Sequence, residues 1–314
     1  MTDTPQILLH NYPQSPVAEK VRIAFGIKGL GWASVEIPRL APKPMLTALT
    51  GGYRRTPVMQ IGADIYCDSL CIIEELERRF PDPSFFPGAT RGLATAIARW
   101  TDGALFAAWV KLILAGQGEN LPADFAADRG RLYLGPDWAE ALERAQSDLP
   151  HMAAQARQAL SLLDDMLAGD QAHALGAAPS LADLAFWHVV WFLRGRWEGG
   201  PPLIAEFPAI EAWEARMAAI GHGPRSDDVD PADAIAIAAA AEPTAPEGTD
   251  PRDPQGLTPG MAVTVVPDTD GGEQPGEGIL RYASRDRIVI LRDSAEAGRL
   301  AVHYPRAGYR VRPL

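Results

Sequence analysis

Residues 56–69 run Thr56-Pro57-Val58-Met59-Gln60-Ile61-Gly62-Ala63-Asp64-Ile65-Tyr66-Cys67-Asp68-Ser69, and their order decides what the N-terminal part of the chain can become. Val58-Met59-Gln60-Ile61 predicts a short strand, Gly62-Ala63-Asp64 turns it, and Ile65-Tyr66-Cys67 returns as its hairpin partner. Ser69 then caps a helix expected to run through Phe80 and to end at Pro81. A proline directly before a strand suits a cis turn, which aims the adjacent amide and carbonyl outward toward a peptide-like ligand.

Upstream of this stretch the same alternation holds. Ile7-Leu8-Leu9-His10 predicts an apolar strand, and Ser15 and Pro16 open a helix as N-cap and first helical residue. Val17, Val21, Ala24 and Phe25 form its apolar stripe, and Gly29 and Gly31 close it. A second strand is expected over 33–37, after which Pro38, Pro42 and Pro44 leave little room for a long regular element before Met45 to Leu49. Strands alternating with helices mark a mixed or parallel sheet with helices packed on it, here an α/β domain over residues 1–87.

Downstream the composition changes to Ala, Leu, Trp and charge at helical spacing, which predicts an all-α domain over 91–242. Helices are expected over 91–115, 136–149, 152–168, 181–194, 210–220 and 231–241. Ser180-Leu181-Ala182-Asp183 is a capping-box pattern with Asp in place of the usual Glu or Gln, so hydroxyl and carboxylate each accept from an amide at the helix start. Prolines at 243, 246, 251 and 254, with acids and few apolar residues, give 243–256 the composition of an extended linker. Residues 257–314 then hold short β runs separated by Gly, Pro and Asp turns. They suggest a small all-β unit with the strand pattern of a Src-homology-3-like barrel, a shape that implies no ligand. Val263, Val265, Ile279, Ile288, Ile290 and Val302 alternate with polar neighbours, so one face is expected to be buried, within the barrel or against the α domain. An independently formed barrel is the favoured form, with Arg281, Arg285, Arg287 and Arg292 as its contact surface.

Composition narrows the function classes. A net charge of −11, with only four lysines among 29 basic residues, disfavours a nucleic-acid partner. No apolar run of membrane-spanning length and no cleavable leader is present, so the chain is expected to be soluble and cytoplasmic, with no membrane partner. Cys67 and Cys71 are too few for a disulfide framework and lack the companions of a zinc set, so no metal is indicated. They read as packing residues without an adjacent base to activate them.

The residues suited to chemistry fall in three places. Ser15 stands at a helix start, where unpaired amides favour an anion and a hydroxyl can donate to a thiolate. Thr56-Pro57-Val58 offers backbone groups to a peptide-like ligand, and Asp68 with Ser69 suits the ammonium and carboxylate of an amino-acid head group. Ser15, Asp68 and Ser69 have plain helix capping as their alternative, and the coincidence of the motifs favours the binding reading. His10 and Tyr12 lie near the site, His10 more as a structural strand-end residue. Trp100, Phe106 and Trp109 recur at a spacing that suits either a core or an apolar substrate pocket, and Arg54 and Arg55 either meet a carboxylate or stay solvated.

Over roughly residues 6–242 the chain resembles the glutathione transferases, on four motifs in order: Ser15-Pro16-Val17-Ala18-Glu19-Lys20-Val21-Arg22, Thr56-Pro57-Val58, Asp68-Ser69 before Ile72-Ile73-Glu74-Glu75-Leu76, and Pro179-Ser180-Leu181-Ala182-Asp183. The resemblance implies a thioredoxin-like domain that binds glutathione as co-substrate, an all-α domain that supplies the second-substrate site, and a homodimer. It makes Ser15 the thiolate stabiliser, Pro57 the cis proline preceded by Thr56, Val58 the backbone partner of the cysteinyl unit, and Asp68 with Ser69 the γ-glutamyl site. The implied activity is a transferase, or an isomerase, that adds the thiolate to small electrophiles in a detoxifying role. The alternative is a binding module of the same fold that holds glutathione or a protein without turnover. Glutaredoxin-like members carry a Cys where Ser15 stands, and a hydroxyl cannot undergo thiol exchange, which disfavours oxidoreduction. The resemblance does not extend over 243–314.

Overall fold

A computed structural model describes residues 6–169, 171–269 and 271–314; the first five residues of the expected 1–87 domain lie outside them. The N-terminal alternation is present as β1 (Leu8–Asn11), α1 (Pro16–Lys28), β2 (Ala33–Glu36), α2 (Pro44–Thr50), β3 (Val58–Ile61), β4 (Asp64–Cys67) and α3 (Ser69–Arg79). β1 pairs parallel with β2 and antiparallel with β3, and β3 pairs antiparallel with β4. β1, β3 and β4 are buried along their whole length, as strands covered on both faces, and their polar residues His10, Asn11, Gln60 and Asp64 are buried with them.

The helical region comprises α4 (Arg91–Trp100), α5 (Phe106–Gln117), α6 (Ala123–Leu134), α7 (Trp138–Ser147), α8 (Leu149–Met166), α9 (Leu181–Arg196), α10 (Gly200–Ile204) and α11 (Pro208–Ile220). The single helix expected over 91–115 is divided by a π-helical turn, Thr101–Leu105. Such a turn inserts a residue into the helical ladder and rotates the downstream face relative to the upstream one. The capping box at α9 forms as expected: Ser180 accepts from the Ala182 amide, and Asp183 accepts from the Ser180 amide at 2.9 Å. Asp183 also takes the Ala174 amide and the Trp213 indole N–H, at 2.8 and 2.9 Å. Burial alone would raise its pKa, but the donors around it hold it below the usual carboxylate range.

The remaining elements are α12 (Pro231–Ala239), β5 (Gly248–Thr249), β6 (Ala262–Pro267), β7 (Gly276–Ala283), β8 (Arg287–Ser294), β9 (Gly298–Pro305) and β10 (Tyr309–Pro313). The β runs of the C-terminal segment are strands, but they do not stand apart. One sheet runs β10-β6-β7-β8-β9-β4-β3-β1-β2, with β5 paired to β7, because β9 lies parallel to β4 in the register Asp64↔Ala301, Ile65↔Val302, Tyr66↔His303. Leu46, Leu49, Tyr53, Val58 and Ile65 share one apolar core with Val263, Leu280, Ile288, Ile290 and Val302. α12, expected in the helical domain, packs instead on α2, β2 and β9. Accordingly Gly223–Leu314 forms one unit with the residues up to Val21 and with Gly29–Arg79, while Arg22–Lys28 and Phe80–His222 form the other.

These pairings correct the expectation of a detached barrel. The buried face expected of its strands is found against the N-terminal sheet, an option the alternation pattern alone does not specify. Ile279 is exposed and Leu280 takes the inward position, next to a register shift between Leu280 and Tyr282. The four arginines form no common free surface. Arg287 donates to Glu75 Oε2 at 2.7 Å, Arg292 donates to the Ala48 carbonyl at 2.6 Å, Arg281 pairs with Glu247, and Arg285 lies beside Asp286. Glu75 also receives Arg78, Arg79 and the Tyr66 hydroxyl. Against the cost of burial, these donors hold its carboxyl well below the ordinary range.

Candidate functional site

The sheet register gathers the three candidate stretches. His10 of β1 lies opposite Val58 of β3, which lies opposite Cys67 of β4. The loop after β1 that leads to Ser15, the Thr56-Pro57 turn before β3 and the Asp68-Ser69 step after β4 therefore emerge at one end of these three adjacent strands, along the edge of the sheet that the strand ends form. The Thr56–Pro57 peptide is cis, and Val58 is fully buried.

Ser15 is buried, with 2 % of its surface exposed, and its Oγ accepts from the Ala18 amide at 3.2 Å as an N-cap. A hydroxyl that accepts still has its own proton to give, so capping α1 and donating to an anion at the helix start are compatible. Asp68, rather than Ser69, caps α3: its Oδ1 accepts from the Leu70 amide at 2.8 Å, and Ser69 is the first helical residue, buried beneath it. Asp68 is the one non-glycine among the described residues with positive φ, 77°. That left-handed backbone is costly for most side chains and is tolerated best by Asn and Asp.

Two contributors were not legible in the sequence. Lys43 reaches this edge from the start of α2, donating to Thr56 Oγ1 at 3.0 Å, with its ammonium 5.6 Å from the Tyr12 ring centre. Its setting between Pro42 and Pro44 marks only a break in regular structure. Tyr309 of β10 donates its hydroxyl to Asp68 Oδ2 at 3.0 Å, although 241 residues separate them. The C-terminal segment also takes up Arg55, whose Nε meets Glu273 Oε1 at 2.5 Å and whose Nη2 meets the Thr269 carbonyl at 2.7 Å. Arg55 is thus neither a solvated residue nor a group held in reserve for a ligand carboxylate.

The other candidates resolve simply. His10 bonds Gln60 Oε1 at 2.8 Å, and burial lowers its pKa to about 4, so it is a neutral core residue. Cys67 and Cys71 are buried thiols; burial pushes Cys67 well up and Cys71 to about 12, which leaves them without thiolate character. Within the helical unit Trp109 is buried, Trp100 meets Phe186 edge-on, and half-buried Phe106 packs with Tyr133, His188 and Phe192. Among the described residues no helix is long and apolar enough to cross a membrane.

A sheet with flanking helices, a cis-proline turn and a helix-opening serine at one sheet edge, followed by an all-helical region, defines the two-part architecture of the transferases that use glutathione. Residues 9–84 match the glutathione S-transferase N-terminal domain, and residues 107–216 match its C-terminal domain. A GST-like protein from Pseudomonas syringae is 33% identical over 99% of this chain and 100% of its own, with a TM-score of 0.78. The chain belongs to the glutathione transferase family, with the thioredoxin-like N-terminal domain and helical C-terminal domain of that family. A glutathione S-transferase from Rhodospirillum rubrum F11 is 18% identical, covers 68% of this chain and 88% of its own, and has a TM-score of 0.52. A glutathione transferase family member from Pseudomonas fluorescens, solved with two glutathione bound, is 17% identical over 70% of this chain and 91% of its own, at 0.51. The full-length match to the Pseudomonas syringae protein extends over the C-terminal segment, whereas the other two span the shorter share of the chain. No curated protein matches the chain.

Proposed function

We propose that this protein binds glutathione along the sheet edge and adds its thiolate to small electrophilic substrates. The observation that carries the reading is the register that brings Ser15, Thr56-Pro57-Val58 and Asp68-Ser69 to one edge, with Ser15 at the start of a helix. In this reading Val58 pairs through its backbone with the cysteinyl unit, and Asp68 with Ser69 receives the γ-glutamyl head group. The Ser15 hydroxyl, backed by helix-terminal amides, stabilises the thiolate. A free thiol has a pKa of about 8.5, and lowering it by about 2 units, some 2.7 kcal/mol, makes the thiolate dominant near pH 7. One hydroxyl hydrogen bond to a charged acceptor and the α1 N-terminus together supply energy of that order. The glutathione bound to the Pseudomonas fluorescens family member agrees with such a site.

The test is a titration with glutathione, followed by thiolate ultraviolet absorbance across pH. It separates a non-binder, a passive binder and an activating enzyme. Ser15→Ala is expected to lower turnover of an aryl halide by more than about tenfold while the fold persists, since it removes one donor to the thiolate and one cap. Unchanged turnover refutes the role of Ser15. Asp68→Ala and Ser69→Ala are each expected to weaken glutathione binding by about 1 to 3 kcal/mol.

A further inference from the structure

Asp68 is held from two sides. Its Oδ1 takes the Leu70 amide within its own helix start, and its Oδ2 takes the Tyr309 hydroxyl from the last strand of the chain. The two donors differ in what they cost to remove: the amide belongs to the cap, but the phenol is supplied by a segment about 240 residues away. Tyr309 is 8 % exposed while Asp68 is half-buried, so the hydroxyl meets the carboxylate from the protein side. A carboxylate accepts at about four positions, so the bonds from Leu70 and Tyr309 orient it without by themselves saturating it.

The phenol is itself held in place. Its ring packs against Tyr304 at 5.6 Å and Tyr53 at 6.4 Å between centres, and its hydroxyl lies 3.4 Å from that of Tyr53. Burial and the neighbouring Asp68 charge push the pKa of both Tyr309 and Tyr53 well above the ordinary range, so both remain donors at physiological pH.

We propose that Tyr309 is a positioning residue of the glutathione site: its hydroxyl orients the Asp68 carboxylate that receives the γ-glutamyl ammonium. The C-terminal segment is then part of ligand recognition. The proposal rests on the assignment of Asp68 made under the proposed function.

The test uses the full-length chain, titrated with glutathione and with an analogue in which the α-amino group of the γ-glutamyl unit is replaced by hydrogen. Tyr309→Phe is expected to weaken glutathione binding about tenfold and to leave the analogue within about twofold of wild type. Tyr304→Phe, which removes a hydroxyl of the same cluster that bonds the Thr50 carbonyl instead, is expected to change neither. In an Asp68→Asn background, Tyr309→Phe should have no further effect on glutathione binding. A second readout needs no variant: glutathione, but not the analogue, should perturb the near-ultraviolet tyrosine absorbance of the wild-type protein. Wild-type binding with unchanged affinity in Tyr309→Phe, equal losses for both ligands, or no tyrosine signal on glutathione binding each overturns the proposal. No binding by the wild-type chain overturns the glutathione reading itself, and this proposal with it.

Discussion

Asp64→Ala tests the joint between the C-terminal segment and the N-terminal sheet. The Asp64 carboxylate is buried in β4; Oδ1 bonds His303 Nε2 of β9 at 2.8 Å, and Oδ2 accepts from the amide and hydroxyl of Thr244 at 2.8 and 2.7 Å. One side chain thereby fastens a strand of the N-terminal domain to β9 and to the segment after α12. Loss of the acceptor strands the buried His303 nitrogen, at about 1 to 3 kcal/mol. Thr244 is exposed, so water replaces part of what it loses, and its two bonds add about 1 kcal/mol together. The expected total is about 3 kcal/mol, read as a lower urea midpoint at unchanged m-value for the full chain at pH 7.5.

The pH dependence has a definite sign. Burial lowers the His303 pKa, although Asp64 opposes this, and a group whose folded pKa lies below its unfolded value of about 6.5 stabilises above that pH. Its contribution is lost as pH falls from there through the folded value. Burial alone would raise Asp64, but its bonds from His303 and Thr244 hold it below the usual range. Its contribution is full above about pH 4 and is lost as pH falls further. Because Asp64 opposes the lowering of the His303 pKa, its removal lets that pKa fall further, so the gap between wild type and Asp64→Ala should grow as pH drops below about 6.5 and close below about pH 4 as Asp64 is protonated. A loss under about 1 kcal/mol at pH 7.5, or a gap that fails to close below about pH 4, refutes this account of the joint.

Two further outcomes are expected. A chain ending at Glu242 loses β9 from the open edge of β4 and uncovers Leu46, Leu49, Tyr53, Val58 and Ile65; at about 1 kcal/mol each for partial exposure, the loss of about 5 kcal/mol rivals the stability of a whole domain. It should aggregate or bind a hydrophobic dye, and a soluble, cooperatively unfolding truncated chain would count against the shared core. Asp183→Ala removes the acceptor for the Ser180 and Ala174 amides and the Trp213 indole, and should lower stability by about 3 to 5 kcal/mol by urea titration. A change below about 1 kcal/mol would show that those donors find other partners.

The local devices were legible in sequence because each is written in adjacent residues. Ser180 with Asp183 announces its cap by spacing, Thr56-Pro57-Val58 its turn and strand, and Asp68 with Ser69 a helix start, because capping and turn formation depend on side chains reaching amides a few positions away. The family likeness rests on these same stretches. Strand partners are another matter. Leu300 to Tyr304 has the same apolar pattern whether its neighbour is another strand of a small barrel or the edge of β4, since alternation records that a face is buried and not what buries it. The choice is made in three dimensions, where β4 has an open edge and Asp64 finds His303 and Thr244. Tyr309 beside Asp68 and Arg55 beside Glu273 follow from that choice. Contacts across more than 200 residues are set by how the sheet closes, so only the tertiary structure carries the C-terminal segment to the candidate site.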